Sequence, residues 1–124
     1  MPLANGRRAD ILALRPDGGF VCIEIKSDAA DFRADRKWDF YRDFADALYF
    51  AVDADFPQEL LPEDAGLIVV AELADLLRPA PEHKLSPARR RAMLGRFATL
   101  AATRLQTLLD PAGAIDLHTA LRSE

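Results

Sequence analysis

The stretch Val21-Cys22-Ile23-Glu24-Ile25-Lys26 decides the fold, because it sets two charged residues at alternate positions of an otherwise apolar run. Successive side chains of a β-strand point to opposite faces. Ile23 and Ile25 therefore share one face, and Glu24 and Lys26 share the other. A second apolar run, Ala9-Asp10-Ile11-Leu12-Ala13-Leu14, places Asp10 fourteen positions before Glu24. Between the runs lies Arg15-Pro16-Asp17-Gly18-Gly19, a turn composition. A hairpin folded about Asp17 brings Asp10 opposite or nearly opposite Glu24. Two carboxylates and an ammonium then meet on one patch of one sheet face. Charges set among aliphatics are costly to desolvate, and this grouping suits a divalent metal and a phosphate. The plainer alternative is a set of cross-strand ion pairs on a solvated face, each adding little.

Outward from the hairpin, the pattern continues as a mixed α/β order. Residues 28–35 read as a connector or helix start. The spacing of Trp38, Tyr41, Ala45 and Leu48 predicts a crossover helix over 35–47, with Phe40 and Phe44 as a second apolar stripe. Leu48–Val52 is a short strand, and 58–64 a loop or short helical turn. Gly66–Ala71 is a continuous apolar run, the pattern of a strand covered on both faces. Residues 72–77 form a short helix or a further strand, and Arg78-Pro79-Ala80-Pro81 interrupts regular structure. Ser86-Pro87 opens a long helix, as N-cap and first helical residue, that runs to about Leu109. The tail from Ala114 is expected to be short and loosely attached. The order β-β-α-β-β-α gives a mixed sheet with helices packed on it.

A chain of 124 residues, half of them hydrophobic and 29% charged, is enough for one domain with a real core. The expected domain spans 1–124, with a core over about 7–78 and a C-terminal helix over about 86–109. A single cysteine excludes an intrachain disulfide and a cysteine-based zinc site, which fits a reducing cytoplasm. No apolar run approaches the roughly 18 to 20 residues of a membrane span, and no signal-peptide pattern opens the chain. The expected location is cytoplasmic, with no membrane partner.

The net charge of −4 argues mildly against nucleic acid, but its distribution argues the other way. Residues 28–75 carry thirteen acids and four bases, whereas 83–104 carry six bases and no acid. The basic stretch is either a solvated helix surface or a face for DNA, with Arg89, Arg90 and Arg91 as backbone contacts. His83 and His118 lack ligand partners at useful spacing and read as surface residues. Cys22 reads as a small buried apolar residue, and Trp38 and Tyr41 as core.

As a metal site, Asp10, Glu24 and the carbonyl of Ile25 would offer Mg²⁺ or Mn²⁺ the oxygen ligands it prefers. Lys26 would orient a water or stabilise phosphate charge. Asp10 followed by Glu24-Ile25-Lys26 resembles the D-x(n)-[DE]-x-K signature of the PD-(D/E)xK nucleases. Asn5–Asp10, Glu24–Ser27, Asp35–Tyr41, Leu48–Val52 and Pro81–Arg91 together are similar to the MmcB-like family of DNA repair proteins, over roughly residues 3 to 110. The resemblance implies a restriction-endonuclease-like core: a mixed sheet with an antiparallel N-terminal hairpin, a crossover helix and a long C-terminal helix. It implies a Mg²⁺-dependent deoxyribonuclease with Asp10, Glu24 and Lys26 as catalytic residues, DNA as partner and a repair protein as a possible second partner. Lys37 is placed to reach the sheet's polar face and joins the DNA contacts. The superfamily pattern also implies an acidic residue on a helix ahead of the first strand. The sequence starts only a few residues before Arg8, so that helix is either absent or lies ahead of the sequence, and without its acid the site has two side-chain carboxylates. The alternative function is a catalytically inactive DNA-binding or protein-binding module on the same scaffold. A third class is a dimerisation domain built on Met93, Phe97, Leu100, Ala101, Leu105 and Leu108. The plainer expectation is that this face packs on the chain's own sheet, so the chain is a monomer or a homodimer.

Overall fold

The computed structural model describes residues 9–34 and 38–122. Its contacts divide the chain into two compact units, Met1–Ser86 and Pro87–Glu124.

The first unit starts with the hairpin. Strand β1 (Ile11–Leu14) pairs antiparallel with β2 (Phe20–Ile25), in the register Ile11↔Ile23 and Leu12↔Cys22. One residue further along that register, Asp10 faces Glu24. The turn is closed by the Arg15 N–H donating to the Gly19 carbonyl (2.8 Å) and the Gly18 N–H donating to that of Arg15 (2.9 Å). Gly18 has φ +87°, the left-handed conformation that favours glycine. The Gly19 N–H donates to Asp17 Oδ1 (2.8 Å), so Asp17 holds the turn through its side chain.

β2 then pairs in parallel with β3 (Ala47–Asp53), β3 in parallel with β4 (Gly66–Val70), and β4 antiparallel with β5 (Ala74–Arg78). The sheet order is β1-β2-β3-β4-β5. The α/β class, the mixed five-stranded sheet, the antiparallel hairpin and the long C-terminal helix all stand as the sequence implies, consistent with a restriction-endonuclease-like fold.

A parallel pair needs a crossover, and the β2–β3 crossover departs from expectation. The helix is α1 (Ala29–Ala34), in the stretch read as a connector or helix start. The predicted helix over 35–47 is replaced by a 3₁₀ helix over Trp38–Phe44, with β3 starting at Ala47. The cause of the early start is a cap. The Asp31 N–H donates to Asp28 Oδ1 (2.7 Å), and Asp31 Oδ2 accepts from the Ser27 N–H (3.0 Å) and hydroxyl (3.3 Å). Asp28 thus caps the helix, and Asp31 reaches back one residue beyond the cap to Ser27, a variant of the capping box.

Register and parity sort the sheet's two faces. Cys22 and Glu24 lie beside Leu48 and Phe50, and Phe50 beside Leu67, all of them buried. Phe32 of α1 covers this face, with its ring edge-on to Phe50 (centroids 5.6 Å apart) and to Phe56 (6.4 Å). Tyr41 and Phe44 are buried in the same unit, as their reading as core requires. The opposite face carries Ile11, Ile23, Ile25, Ala51, Ile68 and Val70. Ile25 is 53% and Val70 44% exposed, so the far half of β4 is not covered on both faces as its unbroken apolar run implied. On this same face Tyr49 lies against Gly66, where an added Cβ would overlap the ring.

Asp46, buried just before β3, joins three segments. Its N–H donates to the Phe20 carbonyl (2.8 Å), its Oδ2 accepts from the Phe20 N–H (2.7 Å), and its Oδ1 from the Leu85 N–H (3.1 Å). The His83 N–H donates to its carbonyl (2.7 Å). Arg15 adds a two-pronged contact to Glu82 (2.5 and 3.1 Å), which raises the Arg15 pKa and holds Glu82 below the usual carboxylate range. The irregular segment after β5 is thus tied to the start of β2 and to the hairpin turn.

The second unit is a helical hairpin. Helix α2 (Pro87–Leu109) begins and ends where the sequence predicts. The tail expected to be loose is instead α3 (Pro111–Arg122), in contact with α2. Asp110 Oδ1 accepts from the Gly113 N–H (3.0 Å), so Asp110-Pro111 is an N-cap and first helical residue in its own right. Among the described residues, no helix is long and apolar enough to cross a membrane.

Candidate metal and phosphate site

The site grows from the hairpin register. With Asp10 opposite Glu24, each residue's backbone and side chain meet the other strand. The Asp10 N–H donates to Glu24 Oε1 (3.2 Å), and Asp10 Oδ2 accepts from the Ile25 N–H (2.9 Å). Each carboxylate uses one oxygen in these bonds, so both are held at the same point of the sheet edge. Lys26 leaves β2 with its N–H donating to the Ala51 carbonyl of β3 (3.0 Å). The capped start of α1 then holds the chain immediately beyond it.

Burial separates this patch from a solvated surface. Glu24 is only 3% and Lys26 only 6% exposed, while Asp10 is exposed. Glu24 and Lys26 lie on the covered face, and the aliphatic Ile25 between them faces solvent. This inverts the usual arrangement of charge outside and aliphatic inside. Burial is the main reason the Glu24 carboxyl is pushed up to about 7. The Asp10 charge raises it further, whereas the Asp10 N–H and the Lys26 charge act in the opposite sense. The protein holds a carboxylate where its charge is disfavoured, next to another carboxylate. A bound cation would relieve that disfavour.

Cys22 lies beneath the pair, with Sγ 3.7 Å from Glu24 Oε1. It is buried, and its thiol is pushed up by burial and by the Glu24 charge, which fits an apolar neighbour and not a nucleophile. Among the described residues no three His, Cys, Asp or Glu side chains are grouped to hold a metal. Any ion here would be held by two carboxylates and the Ile25 carbonyl, all hard oxygen donors of the kind Mg²⁺ and Mn²⁺ take, with the remaining positions left to water and phosphate. In that sense the donor set fits.

Of the expected site residues, Asp10, Glu24, Ile25 and Lys26 are brought together. Lys37 lies outside the described residues. Arg89, Arg90 and Arg91 lie in the first turns of α2, in the second unit. His83 is exposed and acts through its backbone N–H. What the sequence left unread is the Ser27, Asp28 and Asp31 clasp behind Lys26, although its signal, Asp-x-x-Asp after a strand, was present.

A sheet edge carrying paired carboxylates and a buried lysine, in a mixed five-stranded sheet with a long C-terminal helix, places the protein among α/β domains of a fold consistent with the restriction endonucleases. Within it, the chain belongs to the MmcB-like family of DNA repair proteins, whose family model matches residues 1–112. Among solved structures it is similar to a protein of unknown function from Silicibacter pomeroyi. The two are 47% identical, with a TM-score of 0.82 over 91% of this chain and 77% of that one. No match is found among curated proteins.

Proposed function

We propose that this member of a DNA repair family is a metal-dependent deoxyribonuclease whose site is Asp10, Glu24, Ile25 and Lys26. One observation carries the proposal: a carboxylate and a lysine, both buried, abut a second carboxylate at a sheet edge. Burying such charges costs several kcal/mol each unless they are compensated, and membership of a DNA repair family supports reading the patch as DNA-directed. Mg²⁺ or Mn²⁺, when bound, would supply charge neutralisation at the phosphate and a more acidic water. The chain's own part is to position. Asp10 and Glu24 hold the ion through the oxygens their mutual bonds leave available, and the Ile25 carbonyl completes the protein ligands. Lys26, fixed by its backbone bond to β3, presents its ammonium to the scissile phosphate or its attacking water. Arg89, Arg90 and Arg91 neutralise backbone phosphates.

The test is a panel of nicked, branched and single-stranded DNAs with Mg²⁺ or Mn²⁺. The expected outcome is cleavage of at least one substrate, lowered by about 10²-fold or more in Lys26→Ala, as for loss of one charge-stabilising group. Cleavage of none, or equal cleavage by Lys26→Ala, overturns the catalytic reading. A non-catalytic DNA-binding module on the same scaffold then becomes the better account, favoured by the presence of only two carboxylates among the described residues of the site.

A further inference from the structure

We propose that Asp31 is a positioning residue for Lys26, fixing the backbone from which its side chain leaves; this rests on the reading of Lys26 as the phosphate-directed group of the site. Lys26 is the first residue beyond β2, so no further strand sets its direction. The peptide groups on either side of its Cα are planar, which leaves two soft dihedrals between them. Both groups are anchored. The one before the Cα is held by the Lys26 N–H donating to the Ala51 carbonyl of β3 (3.0 Å). The one after it is held by the Ser27 N–H donating to Asp31 Oδ2 (3.0 Å), and the Ser27 hydroxyl donates to the same oxygen (3.3 Å). With both planes fixed, the direction of the Lys26 Cα–Cβ bond is fixed as well.

Helix capping alone does not account for the second anchor. In a capping box the third helical residue reaches back to the N–H of the cap itself, which here is Asp28. Asp31 reaches past it, to the residue that follows the lysine. The bond therefore serves the strand end and not an orphan donor of the helix.

Asp31 is itself held in the frame of the site. Its N–H donates to Asp28 Oδ1 (2.7 Å), and the Phe32 N–H donates to the Asp28 carbonyl (3.1 Å). The Phe32 ring meets Phe50 edge-on, and Phe50 is the neighbour of Glu24 on β3. Asp31 thus ties the backbone of Lys26 to the part of the sheet that carries Glu24. Asp31 is exposed whereas Lys26 is buried. An exposed side chain away from the core adds little to global stability, so its effect falls on the lysine and not on the fold.

NMR relaxation of the full chain in metal-free buffer tests the proposal, with wild type beside Asp31→Ala and Asp31→Asn. Asparagine keeps an oxygen that can accept from Ser27. In Asp31→Ala the Lys26 side chain should loosen, and the order parameter of the Ser27 amide should fall from about 0.85 to below about 0.6, with the melting temperature little changed. Asp31→Asn should restore both. On a DNA that wild type cleaves, Asp31→Ala should lower kcat about tenfold or more at unchanged KM, within the roughly 10²-fold that a 1 Å misplacement costs. It should add nothing in a Lys26→Ala chain, because the two changes act through one group. An Asp31→Ala protein whose Lys26 stays ordered overturns the proposal, as does failure of Asp31→Asn to restore that order. Unslowed cleavage by Asp31→Ala overturns it too, and so does an Asp31→Ala chain that circular dichroism shows to be unfolded, since Asp31 would then hold the fold and not the lysine. Cleavage of no substrate by wild type strikes the nuclease reading alone, because the order of Lys26 still decides whether Asp31 positions it.

Discussion

The residue that most distinguishes this molecule is Glu24. It is a carboxylate between Ile23 and Ile25 in its strand, with Phe50 beside it on β3 and Asp10 beside it on the other side, and burial pushes its pKa from 4.5 to about 7. The sign of the consequence follows from linkage. Between these two values the folded protein holds a proton that the unfolded chain has released, so folding is favoured at low pH and stability falls as pH rises through the window. In metal-free buffer, Glu24→Gln should remove that fall. Its stability relative to wild type should increase by about 2 kcal/mol between about pH 5 and pH 8, read from urea denaturation. Parallel pH profiles for the two proteins would show that Glu24 ionises as freely folded as unfolded. The residue's environment was only half legible in the sequence. The alternation of Glu24 and Lys26 with isoleucines gave their common face correctly, and the turn glycines gave the register that sets Asp10 opposite. Which face is covered depends on Phe32 arriving from a later segment, and no pattern within a six-residue strand carries that information.

At the scale of elements, local chemistry overrode periodicity wherever the two disagreed. The apolar spacing from Trp38 to Leu48 resembles a helix, yet Asp46 is bound from both sides by Phe20, which forces extended backbone into β3 from Ala47. α1 and α3 each start at an aspartate that accepts a hydrogen bond from the N–H three residues on, Asp28 and Asp110. Those caps were written in the sequence, whereas the tertiary role of Asp46 was not. Because Asp46 accepts from two backbone N–H groups, Asp46→Ala should leave both without a partner and lower stability by about 2–4 kcal/mol. Hydrogen exchange should speed up selectively at Phe20 and Leu85. Wild-type stability, with protection at those amides unchanged, would remove Asp46 from the account of how the segment after β5 is held.

At the scale of the whole molecule, the chain separates its charges. An acidic sheet unit carries the candidate site, and a basic helical hairpin carries the arginines assigned to DNA. The split was visible in the sequence as thirteen acids against four bases over 28–75, followed by six bases and no acid over 83–104. The fold class was visible as well, because the hairpin, the strand at 48–52 and the helix from Pro87 are each signalled locally. The apolar sheet face was not, since an unbroken aliphatic run such as Gly66–Val70 looks the same whether one face is covered or two. Such a division of labour needs a cation at the sheet edge, because phosphate would otherwise approach paired carboxylates against their charge. The most direct measurement is therefore calorimetric titration of the full-length chain with Mn²⁺, beside Asp10→Ala. A single site in wild type, weakened at least about tenfold when Asp10 is removed, is the predicted result. Absence of binding in wild type, or equal binding by both proteins, would contradict the central claim that Asp10 and Glu24 form a metal site.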